Sequence, residues 1–321
     1  MNKHVMQAEA AVDATTLHNP LDHHNPWIGL SRHGGFFESA EIANIISRAS
    51  FYAGIGIPIH FFGAAGQGKT SLAMVVARRL GRPIAMMAGH QWLDASDMIG
   101  KEVGHTQAKV IDKYVQSVQR SETRTRADWR HSILATAMER GHTLIYDEFT
   151  RASAEANGIL LSVLEEGALI STDQSNNRAY LNAHPGFRII LTSNSRDYAG
   201  VNDAPDALLD RMISFEIGPI SEETQIGIVE TRSGLDAATT ARIVRIVNAL
   251  ARRTEDPHTL SLRAAILIAR ATALRPTDVA LTDQFLAQIV VDVLRGRGLR
   301  LNVSEVMAQF DKSTHCGEED R

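Results

Sequence analysis

Few folds accommodate the segment Gly63-Ala64-Ala65-Gly66-Gln67-Gly68-Lys69-Thr70, which follows the apolar run Ile57-Pro58-Ile59-His60-Phe61-Phe62. It matches G-x-x-x-x-G-K-[ST], a spacing that arises by chance in roughly one chain of this length in a hundred. Its place between a short buried strand and a helix predicted from about Lys69 to Leu80 lowers that further. Glycines allow the main chain to wrap an anion, so that N–H groups and the helix N-terminus face phosphate. Gly63 through Thr70, with Ser71 beside them, are therefore candidate nucleotide-binding residues. Lys69 is placed to reach the β- and γ-phosphates, and the Thr70 hydroxyl to ligate Mg²⁺.

A second apolar strand, Thr143-Leu144-Ile145-Tyr146, ends in Asp147-Glu148. A phosphate-loop enzyme needs a carboxylate at such a strand end to hold the metal and its waters, a role that suits Asp147. Glu148 can then orient or deprotonate the attacking water. Alone, the pair would read as an acidic turn after a strand; combined with residues 63–70 it reads as chemistry. Three further residues carry two readings each. Asn194, after strand Phe187–Thr192, can bond the γ-phosphate or the attacking water, or simply open a turn. Arg211 closes the short helix Asp206-Ala207-Leu208-Leu209-Asp210 before strand Ile213–Ile217; it is a candidate catalytic cation or a surface residue paired with Asp210. Arg263 starts a helix and is a candidate site residue or a solvated helix residue.

The rest of the chain is organised around these segments. A loop-like stretch, 1–39, precedes an amphipathic helix opened by Ser39 with Ile42, Ile45 and Ile46 on one face. Strands about Pro83–Ala88, Thr143–Tyr146 and Phe187–Thr192 then alternate with helices such as Glu155–Glu166, while 108–140 reads as mainly helical. Such alternation predicts βαβ units, hence an α/β domain over 40–220 with a parallel sheet sandwiched by helices. Beyond 220 only helical spacing remains: Ile243, Ile246, Val247 and Leu250; Leu262, Ala265, Ile266 and Ala269; Phe285, Leu286, Ile289, Val290 and Val293. These predict a small helical lid over 221–305, followed by a polar tail over 306–321.

Composition narrows the function. Of 321 residues, 33 are Lys or Arg and 37 are Asp or Glu, a formal net charge of −4 that argues against non-specific nucleic-acid binding. The single Cys316 excludes an internal disulfide and fits a reducing compartment. No apolar run approaches a membrane span, and the N-terminus carries no secretory signal pattern, so a soluble cytoplasmic protein is expected. His18, His23 and His24 lack a suitably spaced fourth metal ligand. Arg120, Arg124, Arg126 and Arg130, with Glu122 and Asp128 interleaved, read as a solvated helix face rather than a partner site.

The order of phosphate loop, acidic pair, strand-tip Asn, Arg after a short helix and lid Arg resembles the AAA+ ATPases, within them the MoxR-type branch. The resemblance implies that Asn194 is sensor 1, Arg211 an arginine finger acting on a neighbouring subunit, and Arg263 sensor 2. It also implies a ring, hexameric by analogy. Within that branch, Tyr146-Asp147-Glu148-Phe149-Thr150-Arg151, Glu155-Ala156-Asn157, Thr192-Ser193-Asn194, Asp197-Tyr198-Ala199-Gly200-Val201 and Asp206-Ala207-Leu208-Leu209-Asp210-Arg211 resemble the gas vesicle protein N (GvpN) family. Ser96-Asp97-Met98-Ile99-Gly100 fits the same family. The likeness covers roughly 45–230 and is specific from Asp147 to Arg211. The CbbQ/NorQ group shares the phosphate loop and the Ser-Asp-x-x-Gly segment but lacks the Tyr-Asp-Glu-Phe-Thr-Arg and Tyr-Ala-Gly-Val stretches.

The expected function is Mg²⁺-dependent ATP hydrolysis that remodels a protein partner, which the resemblance implies to be the gas-vesicle shell or its assembly factors. Association with gas vesicles follows from the same resemblance. Two alternatives stand beside it: a MoxR/CbbQ/NorQ-type activator of a metalloenzyme or Rubisco, and a nucleotide-dependent scaffold without turnover. A β-hairpin is expected from Leu169-Ile170 and Tyr180-Leu181. The stretch between them, with Thr172–Asn177 and Arg178, is either a substrate-gripping loop or an inert turn.

Overall fold

The computed structural model describes residues 35–112, 120–170, 180–194, 205–253, 261–275, 280–296, 299 and 301–315, and over 101–130 and 310–315 the backbone alone. His18, His23, His24, Tyr198, Arg178 and Cys316 lie outside the described residues.

Helix α1 (Ala40–Gly54) opens on Ser39, whose hydroxyl accepts from the Ile42 N–H, and buries Ile42, Ile46, Ala49 and Ala53. Apolar positions at three- and four-residue spacing make that buried stripe. Strand β1 (Ile59–Gly63) leads through residues 64–68 into α2 (Lys69–Arg79) and β2 (Ile84–Ala88). The short α3 (Ala95–Ile99) starts on a capping box between Asp94 and Asp97. Beyond α4 (Ile133–Arg140), strand β5 (Thr143–Asp147), a single 3₁₀ turn at Phe149–Arg151 and α5 (Ala154–Glu165) follow. The body closes with β8 (Arg188–Asn194), α6 (Asp206–Leu209) and β9 (Ile213–Ile217).

Five of these strands form one parallel sheet in the order β2-β5-β8-β1-β9. One face is covered by a cluster built around Leu134, Met138, Leu144, Tyr146, Phe149 and Leu160. A second cluster includes Ile46, Ile59, Phe61, Val76, Ile145 and Ile190. Being covered on both faces is what makes β1, β5 and β8 read as apolar runs rather than alternating ones. The register aligns the strand ends: Gly63 sits beside Asn194 on one side and Ile217 on the other, and Ala88 beside Asp147. The carboxyl edge of a parallel sheet, where the strand order reverses about β1, is where open α/β sheets hold ligands.

One expectation is overturned. Residues 100–131 are not mainly helical: β3 (Gly100–Asp112) pairs antiparallel with β4 (Arg120–His131). Of the expected helical span 108–140, only α4 is helical among the described residues. In 120–130 charged residues at even positions alternate with Ser121, Thr123, Thr125, Ala127 and Trp129. That is a period-two pattern in which charge rather than apolarity alternates, so an apolar-period search passes over it. Arg120, Arg124, Arg126 and Arg130 therefore belong to a strand rather than a helix face. The second hairpin is found where expected, with β6 (Ala168–Ile170) paired to β7 (Tyr180–Asn182).

The C-terminal part is helical: α7 (Glu222–Ser233), α8 (Ala237–Ala251), α9 (Leu262–Ala273), α10 (Asp283–Arg295) and α11 (Val303–His315). Ile243, Val247, Leu250, Ala265, Ile268, Leu286, Val290 and Val306 share its own apolar cluster. In α10 the fully buried face is Leu286, Ala287, Val290, Val291 and Leu294, one position round from the stripe read in the sequence. Helix α11 continues through 305 and 306, where the sequence reading begins a polar tail. Helix α7 joins the two parts. Its Val229 belongs to the helical cluster, Ile228 packs against the sheet cluster, and Glu41 of α1 accepts from the Ser221 and Thr224 hydroxyls.

Candidate functional site

Lys69 is buried at the first position of α2, and its ammonium donates to the carbonyls of Gly63 and Ala64 at 3.1 and 2.7 Å. Burial pushes its pKa down to about 8; Glu148 and Asp147 pull it back up, and Arg263 pushes it down again. Arg263 is thus close enough for its charge to be felt at Lys69, although it stands on an exposed position of α9. The phosphate loop and α9 also meet directly. Gly66 has φ +84°, and a Cβ there would fall 2.7 Å from Cβ of Ser261, the residue that precedes α9. Glycine is required at that point for both the left-handed backbone and the close approach.

Asp147, at the end of β5, is the hub of the polar contacts. Its Oδ1 accepts from Thr70 Oγ1 at 2.7 Å and from Thr192 Oγ1 in a short hydrogen bond. Thr70 and Asp147 present two hard oxygens side by side on the phosphate-loop side of the sheet. Among the described residues there is no group of three or more His, Cys, Asp or Glu able to hold a metal. Such a donor set fits Mg²⁺, which keeps several waters and binds through one or two protein oxygens together with substrate phosphates.

Glu148 adopts φ 52° and ψ 41°, the only positive φ outside glycine among the described residues. A non-glycine residue in this region costs on the order of 1–3 kcal/mol and persists only where its surroundings impose it. Three contacts do so. The Glu148 N–H donates to Thr192 Oγ1 at 2.9 Å. Its carbonyl accepts from the Arg151 N–H at 3.0 Å. The same carbonyl lies 2.3 Å from where a Cβ would stand on Gly89, so only glycine fits there. The carboxylate is then aimed at the strand-tip Asn: Asn194 Nδ2 donates to Oε1 at a long 3.4 Å, while Arg151 Nε pairs with Oε2 at 2.6 Å.

Behind this layer Tyr146, Asn157 and His60 have their polar groups paired, whereas the buried hydroxyls of Thr143 and Thr150 have no hydrogen-bond partner among the described residues. Tyr146 is fully buried and donates its hydroxyl to Asn157 Oδ1, and Asn157 Nδ2 donates to the Phe149 carbonyl, which fixes the turn after Glu148. Tyr146 and Phe149 are core residues. His60 of β1 is buried between Ser193 and Ser214, 2.8 and 3.0 Å from their hydroxyls, and stacks on Phe62. Burial pushes its pKa down to about 4, so it is neutral near pH 7.

The structure brings together Lys69, Thr70, Asp147, Glu148, Asn194 and, through its charge, Arg263. Arg211 it places elsewhere. Its guanidinium pairs with Glu165 of α5 at 2.6 Å and donates to the Ala207 carbonyl, and the partner expected on the surface reading, Asp210, is replaced by Glu165. Thr192 and Arg151 are both in direct contact with the acidic pair, although in the sequence they stand out only as parts of the stretches Thr192-Ser193-Asn194 and Tyr146-Asp147-Glu148-Phe149-Thr150-Arg151. For Thr192 a signal existed: it stands two positions before Asn194, on the same face of β8.

A phosphate loop at the end of β1, an acidic pair at the end of β5, Asn at the tip of β8 and a helical C-terminal part define an ATP hydrolase of the AAA type. The AAA domain of the dynein-related subfamily matches residues 58–212. The chain is 36% identical over 263 residues to gas vesicle ATPase GvpN of Ancylobacter aquaticus, spanning 82% of this chain and 74% of that protein. It is 37% identical over the same shares to gas vesicle ATPase GvpN of Haloferax mediterranei. Likeness to protein CbbQ of Hydrogenophilus thermoluteolus is lower, 24% over 59% of this chain and 64% of that protein. The chain belongs to the gas vesicle ATPase GvpN family. Among the described residues no helix is long and apolar enough to cross a membrane.

Proposed function

We propose that this ATPase is Mg²⁺-dependent, works as a ring, and remodels protein partners during gas vesicle assembly. The observation that carries the catalytic part is the convergence of Lys69, Thr70, Asp147, Glu148 and Asn194 on one edge of the sheet. In this reading residues 63–71 wrap the triphosphate. Lys69 leaves its two carbonyl partners for the β- and γ-phosphates, and Thr70 and Asp147 hold the cation. Bound Mg²⁺ supplies charge neutralisation on the phosphates. Glu148 takes the proton of the attacking water, and Asn194 orients that water or the γ-phosphate. Arg263 adds positive charge from the lid. Arg211, tethered to Glu165 away from the Asp147–Lys69 cluster, serves the nucleotide of a neighbouring subunit. An arginine finger of this kind is worth on the order of 10³–10⁵ in rate. The division into a body over 40–220 and a lid beginning at 221 belongs to the same proposal, with α11 carrying the helical part past the expected limit of 305. The partner assignment is supported by the names of the relatives.

The test separates binding from turnover. Glu148→Gln retains ATP binding and loses hydrolysis, whereas Lys69→Ala loses binding. Mixing Lys69→Ala with Arg211→Ala restores part of the activity if the finger acts across subunits. A mixture that forms joint oligomers yet stays as inactive as each parent overturns the trans assignment.

A further inference from the structure

Each oxygen of the Glu148 carboxylate has a partner, and the tight one is Arg151. Oε2 is paired with Arg151 Nε at 2.6 Å, and Oε1 accepts from Asn194 Nδ2 at 3.4 Å. A carboxylate orients an attacking water by accepting its O–H at an oxygen the water can reach, and the guanidinium lies directly against Oε2 on that approach. The pair is not needed to shape the turn. Main-chain hydrogen bonds from Arg151 N–H to the Glu148 carbonyl and from Ala152 N–H to the Phe149 carbonyl already close it. The Ser153 hydroxyl then starts α5 by accepting from the Ala156 N–H. The Arg151 side chain is 45% exposed, so water offers its guanidinium an alternative at every moment.

Resting on the assignment of Glu148 as the base, we infer that Arg151 is a latch. While paired it withholds the Glu148 carboxylate from the attacking water, and basal turnover depends on how often the pair opens. Arg151 is a positioning residue in this scheme, acting on the reaction only through Glu148. An exposed ion pair within one turn is weak, so release is frequent and the restraint is modest: removing it raises turnover about two- to fivefold.

The experiment uses the full chain, with kcat and KM for ATP measured at matched oligomeric state for wild type, Arg151→Met, Arg151→Lys, Glu148→Gln and the double variant Glu148→Gln/Arg151→Met. Methionine keeps most of the aliphatic stem and removes the charge; Arg151→Gln replaces it if the methionine variant does not fold. The expected result is a higher kcat with KM within twofold of wild type, an intermediate kcat for Arg151→Lys, and no turnover in the double variant. A purely structural role for Arg151 would lower kcat or stability and would not be eased by lysine. If Arg151→Met turns over at or below the wild-type rate while Glu148→Gln is inactive, the latch is overturned. Normal turnover in Glu148→Gln overturns the base assignment instead.

Discussion

Thr192→Val removes one hydroxyl and keeps the side-chain volume, and it acts on the strained residue of the site. That hydroxyl accepts from the Glu148 N–H and donates to Asp147 Oδ1. Leaving the partly buried N–H without a partner costs about 1–3 kcal/mol, and the lost bond to a carboxylate about 1.5–3 kcal/mol. The added methyl, buried on β8, returns about 0.8 kcal/mol. The expected loss of unfolding free energy is therefore about 2–5 kcal/mol, below most of the ~5–15 kcal/mol range of an ordinary domain, so the variant is expected to fold. Without its N–H anchor, Glu148 can relax from φ 52° and its carboxylate moves away from Asn194. Misplacement of about 1 Å can cost on the order of a hundredfold, and kcat should drop about ten- to hundredfold. Urea unfolding gives the first quantity and steady-state phosphate release the second, with Thr192→Ser as the hydroxyl-retaining control. A Val variant within 0.5 kcal/mol of wild type and within about twofold in kcat would refute the reasoning, because Thr192 would then anchor nothing.

Two further predictions concern pH. His60 has its pKa lowered from 6.5 to about 4, so the unfolded chain binds the proton first. Stability is present above pH 6.5 and lost as pH falls towards 4, by at most about 3 kcal/mol at 1.36 kcal/mol per unit. Unfolding measured between pH 7 and 4 should show a shallower dependence in His60→Leu; identical slopes would remove His60 as a source. Lys69, at about 8 in the free protein, must be charged to meet phosphate. ATP binding at pH 8 should therefore take up about half a proton, falling towards zero at pH 6.5. Calorimetry in buffers of different ionisation enthalpy reads this directly, and no uptake at pH 8 would mean that Lys69 is already fully protonated there.

Much of this protein is legible in residues taken in order. The phosphate loop, the acidic strand end and the strand-tip Asn are local signals, since each function requires particular residue types at fixed spacing. Buried strands such as Thr143–Asp147 announce themselves by apolar runs, and α1 and α8 by their stripes. The pairing of Gly100–Asp112 with Arg120–His131 is hidden because neither strand alternates in apolarity; in 120–130 it is charge that alternates. Thr192 and Arg151 gain their meaning only from distance: Thr192 is 44 and 45 residues from Glu148 and Asp147 in the chain yet bonded to both. Spacing along a chain does not encode which strand lies beside which, and the parallel order β2-β5-β8-β1-β9 is what sets β8 against β5. Nor does spacing encode a backbone angle. Glu148 holds a left-handed conformation because Thr192 and Gly89 close around it, and those contacts exist only after the sheet has formed. Residue types determined what chemistry is available here; the packing of strands and turns decided which carboxylate is held, by which partner and in what geometry.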